Sequence, residues 1–339
     1  MSDLLVLIAP SVNRVYAGLA DTLVAAELRV LMSADGDSVP DVSPTTMAGV
    51  SYLRIDQPDV DRRLLEAVGR LSGLFALFRR DGKRLEPVEV PRPDLFPDDL
   101  VTIPKYPGKT NEQFTRLLLN VAVASIRRPP GSWSILDPMC GRGTTLSTGL
   151  MLGHEVSGVE IDVKAIEAYA AFLKTYLRRK RLKHTAEMSP VRREGKSLGR
   201  RLEVAVSPPG IDRQLKLTVF SGDTRHSASL YGKRRFDAVV TDAPYGIVHG
   251  SHTDVRGISG KRDRSVAGLI GEALPVWAGQ LKTGGAFALS WNSLGLSRER
   301  LAALAIDAGL TPMTGEPYTQ FAHRVDSSVH RDVFVGVKV

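Results

Sequence analysis

Apolar and polar positions follow two different rhythms along the chain. Leu4–Ile8 and Met47–Ile55 read as strands, whereas Val12–Leu31 and Val60–Leu71 carry apolar residues at helical spacing. Strand, helix, strand, helix over residues 1–86 predicts a small α+β domain. From Pro87 to Pro107, six prolines at 87, 91, 93, 97, 104 and 107 exclude a regular helix or a central strand. Residues 87–107 are therefore expected to form an interdomain linker.

Beyond the linker the alternation is regular. Helices are predicted at Asn111–Ile126, Thr144–Leu152 and Val163–Tyr176, interleaved with strands at Ser134–Asp137 and Glu155–Glu160. Strands follow at Leu217–Phe220, Phe236–Asp242 and Ala286–Trp291, with a helix at Val266–Leu281 before the last. Strands separated by helices imply a parallel sheet covered on both faces. Tyr318–His323 and Val333–Val339 are expected to finish it as an antiparallel pair. The expectation for residues 108–339 is one Rossmann-like α/β domain of seven strands.

Composition changes this picture little: 43% hydrophobic and 24% charged residues are ordinary for a globular chain of 339 residues. Cys140 is the one cysteine, which excludes an internal disulfide, and no CxxC pair or HExxH helix offers zinc ligands. No metal is expected. The N-terminus MSDLLVLIAP lacks the basic-then-apolar plan of a signal peptide, and no run reaches transmembrane length. A cytoplasmic protein without a membrane partner is the expectation.

Charge is distributed unevenly. Residues 1–100 hold sixteen acids and eleven bases, while Arg178 to Arg201 hold ten bases and only Glu187 and Glu194. That local excess of eight equals the net charge of the whole chain, +8. A solvated surface would also explain it, and Arg178, Arg179 and Arg181 follow a helix whose C-terminal end favours cations. The excess continues through Arg192, Arg193, Arg200 and Arg201, so the segment is the first candidate for contacts with nucleic-acid phosphates.

Candidate chemistry concentrates at strand ends. In Asp137-Pro138-Met139-Cys140-Gly141-Arg142-Gly143-Thr144-Thr145 an acid closes a strand, glycines permit a tight turn and close approach to a ligand, and a threonine can cap the next helix. The next strand ends in Glu160-Ile161-Asp162, placing an acid where ribose hydroxyls can be bound, and the third in Gly222-Asp223, suited to an adenine amine. Three successive strands ending in acids point to a nucleoside-bearing cofactor. A dinucleotide stays open on these residues alone, although the third glycine of its fingerprint is missing.

The fourth strand runs into Asp242-Ala243-Pro244-Tyr245-Gly246. An exocyclic base amine is a poor nucleophile because its lone pair is delocalised into the ring. A carboxylate such as Asp242 and a fixed backbone carbonyl in the following turn can each accept one amino hydrogen, and Tyr245 can stack on the extruded base. Together the two loops suggest methyl transfer from S-adenosylmethionine (SAM) to a base amine.

LDPMCGRGTT followed by VEID, SGD and TDAPYG resembles the THUMP-associated RNA methyltransferases, most closely the family that makes N2-methylguanosine at position ten of tRNA. Asp137, Pro138, Cys140, Gly141, Gly143 and Thr144 match the family's first motif. The resemblance implies that these residues, with Glu160, Ile161, Asp162, Gly222 and Asp223, hold SAM, and that Asp242, Ala243, Pro244 and Tyr245 are catalytic. It also implies a tRNA partner. Ala243 stands where the family usually has proline, so lost turn rigidity is the expected cost, and if rigidity alone was lost Ala243→Pro is expected to preserve or improve activity. DNA adenine-N6 or cytosine-N4 methylation, a release-factor-type glutamine methyltransferase, disfavoured because its Asn-Pro-Pro-Tyr spelling is absent, and a non-catalytic SAM- and RNA-binding subunit are the alternatives. Cys140 is not expected to act as a nucleophile. His249 and His252 are read as surface residues, and Ile247–Ser265, with Arg256, Lys261, Arg262 and Arg264, as a segment able to close over a nucleotide.

Overall fold

The computed structural model describes residues 3–11, 14–33, 39–57, 60–129, 131–193, 196–245 and 266–339; the side chains of 14, 192, 193 and 196–198 lie outside that description. The chain begins with β1 (Asp3–Ile8), α1 (Arg14–Ala17), α2 (Ala20–Ser33), β2 (Val42–Met47), β3 (Val50–Ile55), α3 (Arg62–Arg70), β4 (Leu74–Asp81) and β5 (Arg84–Val88). These strands form an antiparallel sheet in the order β2-β3-β1-β4-β5. Residues expected as the single strand Met47–Ile55 are instead part of a hairpin, turned by Ala48 and Gly49 at φ 51° and 78°. Two positive φ values match the twist of flanking strands. Prolines hid the outer strands: Pro44 and Pro87 sit in β2 and β5, both at sheet edges where a missing N–H removes no ladder bond. The segment read as linker thus starts inside a strand, and it also carries the short helix α4 (Asp99–Thr102).

Helix α2 joins the two parts of the molecule because both its sides are apolar. Val24, Leu28 and Met32 pack on the small sheet. Leu23, Ala26 and Val30 pack into the larger core with Leu117 and Leu118 of α5 (Glu112–Ala124). Glu27 is fully buried between them. Its carboxylate accepts from the Asn120 amide at 2.7 Å and from the Ser72 hydroxyl at 2.6 Å. Burial, only partly offset by these bonds, pushes the Glu27 carboxyl up to about 7. Between its ordinary value of 4.5 and about 7 the folded state keeps a proton that the unfolded chain sheds, so stability falls as pH rises through this window. Glu27→Gln retains hydrogen bonding but cannot ionise. It is expected to stabilise the fold at pH 8 by up to about 3 kcal/mol and far less at pH 5. Thermal melts at the two pH values check this, and an equal gain at both contradicts it.

The second sheet contains β6 (Ser134–Asp137), β7 (Glu155–Glu160), β8 (Lys183–Arg193), β9 (Lys196–Ser207), β10 (Leu215–Ser221), β11 (Phe236–Asp242), β12 (Leu281–Asn292), β13 (Leu310–Pro312), β14 (His323–Arg324) and β15 (His330–Lys338). Its helices are α6 (Thr144–Met151), α7 (Val163–Arg179), α8 (Ser227–Tyr231), α9 (Val266–Gly279) and α10 (Arg298–Asp307). The order is β13-β15-β12-β11-β6-β7-β10-β9-β8, with β14 beside β15. Neighbours from β12 to β10 are parallel, and β15 runs antiparallel to β12. This is a Rossmann-like α/β fold in which six of the seven expected strands are present and β13 takes the place of the expected Tyr318–His323, extended at one edge by the hairpin β8–β9 and, beside β15, by the two-residue β14. The chain winds outward from β6 first through β7 and β10, then through β11 and β12. A crevice opens at such a reversal, at the carboxyl ends of the strands.

Alternate residues of β11 serve opposite faces, Ala238 and Val240 in one core and Val239 in the other, so the strand reads as a continuous apolar run. Tyr318–His323, expected as a strand, is not one except at His323, which begins β14; Tyr318 is buried and bonds Ser125 instead. No described helix is long and apolar enough to cross a membrane.

Candidate active site

Asp137 ends β6 with its carboxylate 2% exposed. It accepts from the Met139 amide at 3.0 Å and the Thr241 hydroxyl at 2.8 Å, which ties β6 to β11. Burial outweighs these bonds and pushes the Asp137 carboxyl up to about 7, and the Asp242 charge adds to the effect. The following loop is pinned to β7. The Cys140 amide donates to Val159 O at 3.0 Å, and the Gly141 amide to the Glu160 carboxylate at 2.8 Å. Asp162 N donates to the other Glu160 oxygen, also at 2.8 Å. Glu160 is thereby fixed by two backbone amides. Burial pushes the Cys140 thiol well up, which keeps the sulfur protonated and unsuited to nucleophilic attack.

Gly143, at φ 78°, is the N-cap of α6 and makes no side-chain capping bond, so the expected threonine cap is not formed. A Cβ at Gly143 would lie 2.4 Å from the Tyr169 ring, so packing and conformation both require glycine there. Thr144 instead meets the Tyr106 hydroxyl at 2.8 Å. At the end of β10, Asp223 is gripped by Arg225. Burial alone would raise its carboxyl, but the guanidinium outweighs burial and holds it below the usual range.

Asp242 accepts hydroxyl hydrogen bonds from Thr110 and Tyr245. Tyr245 also meets Ser290 Oγ at 3.1 Å. Arg331 is buried between two aromatic rings, 4.7 Å from the Tyr245 centroid and 4.3 Å from that of Phe114. One face of Tyr245 is thus covered by a cation. Burial and the Asp242 charge push the Tyr245 phenol well up, so it stays a hydrogen-bond donor.

These residues enclose one cavity of about 620 Å³, within the usual range for a small-molecule site. Its lining includes Asp137, Pro138, Cys140, Gly141, Thr144, Glu160, Ile161, Gly222 and Asp223, together with Asp242, Ala243, Pro244 and Tyr245. Two expected cofactor residues do not line it. Gly143 packs under Tyr169, and Asp162 caps α7 by accepting from Lys164 N at 2.9 Å. Tyr106, Thr110 and Phe114 do line it, and motif reasoning did not assign them. Tyr106 reaches the site from the end of the proline-rich segment, Thr110 from the turn after it and Phe114 from α5, and Thr110 meets a partner 132 positions away.

The backbone at Ala243 revises one expectation. Its side chain is 1% exposed, and its N–H donates to Ser290 O at 2.8 Å. Proline would remove that donor and leave a buried carbonyl unpaired, at about 1–3 kcal/mol. Ala243→Pro is therefore expected to destabilise the fold and lower turnover, checked by denaturant unfolding. Wild-type stability in this variant would contradict the assignment.

The basic stretch is split rather than continuous. Arg178 and Arg179 end α7 and Arg181 follows it, all exposed. The pairing of Lys183 with Ser207 and of Arg201 with Phe220 sends the hairpin tip, with Arg192 and Arg193, beyond the carboxyl end of β10. At about 3.3 Å per residue β8 spans roughly 33 Å, so Arg181, before its start, and Arg192, near its end, stand at opposite ends of the strand. Arg200 pairs with Glu167 and Arg201 with Glu203. The side chains of Arg192 and Arg193, and all of Gly246, Ile247–Ser265, His249, His252, Arg256, Lys261, Arg262 and Arg264, lie outside the described residues. Among the described residues there is no group of three or more His, Cys, Asp or Glu that could hold a metal ion.

The fold and the crevice define a Rossmann-like α/β protein with its site at the sheet's switch point. No protein-family model and no curated protein matches the chain. Among solved structures it is similar to TrmN from Thermus thermophilus, at 16% identity and TM-score 0.47 over 100% of both chains. It is also similar to RsmC of T. thermophilus, a 16S rRNA N2 methyltransferase in complex with AdoMet and guanosine, at 15% identity and TM-score 0.37, covering 88% of this chain and 58% of that one. A methyltransferase from Pyrococcus furiosus gives 12% identity and TM-score 0.39, covering 69% and 87%. Likenesses this distant carry no weight for activity or substrate.

Proposed function

We propose that the chain is a SAM-dependent methyltransferase acting on an exocyclic base amine, guanosine N2 in tRNA. The observation that supports this is the single cavity shared by the Asp137–Thr145 loop, Glu160 and Asp223 with Asp242–Tyr245. The donor set fits SAM. Glu160 and Asp223 offer carboxylates to hydroxyl and amino groups, Ile161 is an apolar wall 68% exposed, and a Cβ at Gly141 would meet nothing within 4 Å, which leaves room for a ligand against the backbone. Bound there, SAM supplies an electrophilic methyl group.

The remaining work belongs to the protein. A carboxylate has about four acceptor positions. Thr110 and Tyr245 occupy two on Asp242, which orients it and leaves others for the amino hydrogens of the base. Hydrogen bonds accepted from those hydrogens localise the lone pair on nitrogen for attack on the methyl group, and after transfer one of the two protons leaves nitrogen through Asp242. Tyr245 stacks on the base with the ring face that Arg331 does not cover. The reading also takes the protein to be cytoplasmic, and places phosphate contacts at the hairpin end with Arg192, Arg193, Arg200 and Arg201. Transfer from labelled SAM to unmodified tRNA, compared with duplex DNA, tests it. Label in DNA alone favours an adenine-N6 or cytosine-N4 enzyme, and SAM binding without transfer to any RNA favours a non-catalytic subunit.

A further inference from the structure

A second cavity, of about 650 Å³, opens at the opposite end of the large sheet. Trp133 precedes β6, His154 precedes β7 and Arg213 precedes β10, and all three line it. The crevice with Asp137 and Asp242 lies at the carboxyl ends of these strands. A strand length of roughly 13–20 Å therefore separates the two cavities. The second one is closed by α3 of the small sheet and by the chain leaving α5.

Five arginines line it, Arg63, Arg70, Arg127, Arg128 and Arg213, against the single carboxylate of Glu66. Glu66 is paired with Arg62 at 2.7 Å, and Arg128 reaches the buried acid Asp237 at 3.3 Å. Arg213 is held in place by neutral groups, Ser132 Oγ and Gly153 O, each at 2.6 Å, so its charge is oriented but not cancelled. Arg70 and Arg127 have no carboxylate partner among the described residues. At the base of the cavity His154 is 9% exposed, and its Nδ1 has no hydrogen-bond partner among the described residues. An unpaired polar atom buried beside clustered guanidinium groups is unfavourable until an acceptor or donor arrives. Burial, together with Arg70 and Arg213, pushes the imidazole down to about 4, so it adds no charge at neutral pH and can present one N–H.

Guanidinium groups from three segments, beside an imidazole nitrogen that has no partner among the described residues and can carry its N–H, match a tetrahedral oxyanion with several acceptor oxygens. The cavity exceeds one phosphate in size, and Trp133 adds an aromatic wall. We propose that this cavity is a phosphoryl-anion site, filled either by the phosphate of a nucleic-acid strand docked across the small and large sheets or by that of a free nucleotide. The site stands on its own residues and does not depend on the reaction assigned to the other cavity.

Trp133 provides the readout, since the other two tryptophans, Trp277 and Trp291, are 0% and 1% exposed. Titrating the full chain with inorganic pyrophosphate at constant ionic strength should change Trp133 fluorescence saturably, while chloride should not. Arg70→Gln, at an exposed position, and separately Arg127→Gln, should each weaken pyrophosphate about tenfold. SAM affinity should be unchanged in both, which shows that the fold and the first cavity are intact. Displacement of pyrophosphate by unmodified tRNA identifies the strand as the source, and displacement by ATP but not tRNA identifies a free nucleotide. No saturable signal, or equal pyrophosphate affinity in wild type and both variants, overturns the proposal. Loss of tRNA methylation with pyrophosphate binding intact counts against the proposed reaction only.

Discussion

Asp242→Ala is expected to reduce methyl transfer by about a hundred- to ten-thousandfold in turnover, with SAM affinity changed by less than about threefold. The expectation follows from position. Asp242 ends β11 and is held by the Thr110 and Tyr245 hydroxyls, while the groups suited to SAM sit on the β6, β7 and β10 loops. Alanine removes the carboxylate acceptor and leaves only the backbone carbonyl of the turn to draw on the amino group. Asp242→Asn keeps one carbonyl-type acceptor and the shape of the side chain, so it should retain part of the activity. Single-turnover transfer rates set beside calorimetric SAM binding separate the two effects. Equal losses of rate and SAM affinity in Asp242→Ala would place this carboxylate in the cofactor site instead.

Glu160→Ala should weaken SAM binding by about ten- to hundredfold, the loss of a charge-assisted hydrogen bond at roughly 1.5–3 kcal/mol. Here the geometry adds a second route. The Glu160 carboxylate also receives the Gly141 and Asp162 amides, so alanine frees the turn that approaches the cofactor. Asp223→Ala is expected to be as severe, because it leaves Arg225 with only Glu272 as a partner inside the pocket wall. Calorimetry on both variants checks this, with thermal melts to show that they are folded. Wild-type affinity in both would remove the cofactor from this crevice.

What the sequence made legible was local. Asp137, Glu160 and Asp242 each close a strand and Asp223 follows one by two residues, so neighbouring residues are enough to mark them, and the sheet brings their ends together. Contacts between distant segments were not legible. Nothing near Thr110 announces that it donates to Asp242, and nothing near Arg331 announces that it lies between Phe114 and Tyr245. Charge misled in one place. Ten bases close in sequence looked like one patch, yet the β8–β9 hairpin carries some to the crevice end of the sheet and leaves others at the far end. Proline misled in another, because Pro44 and Pro87 sit where an edge strand tolerates them. Ala243 shows the limit of motif comparison, since its value to the fold is a backbone N–H that no spelling of the motif displays.

The central claim is that one cavity holds both a methyl donor and a base amine of tRNA. Mass spectrometry of nucleosides from unmodified tRNA incubated with the full chain and SAM tests it most directly. N2-methylguanosine is expected from the wild-type protein and essentially none from Asp242→Ala. Methylation confined to DNA, or undiminished N2-methylguanosine from Asp242→Ala, would contradict it.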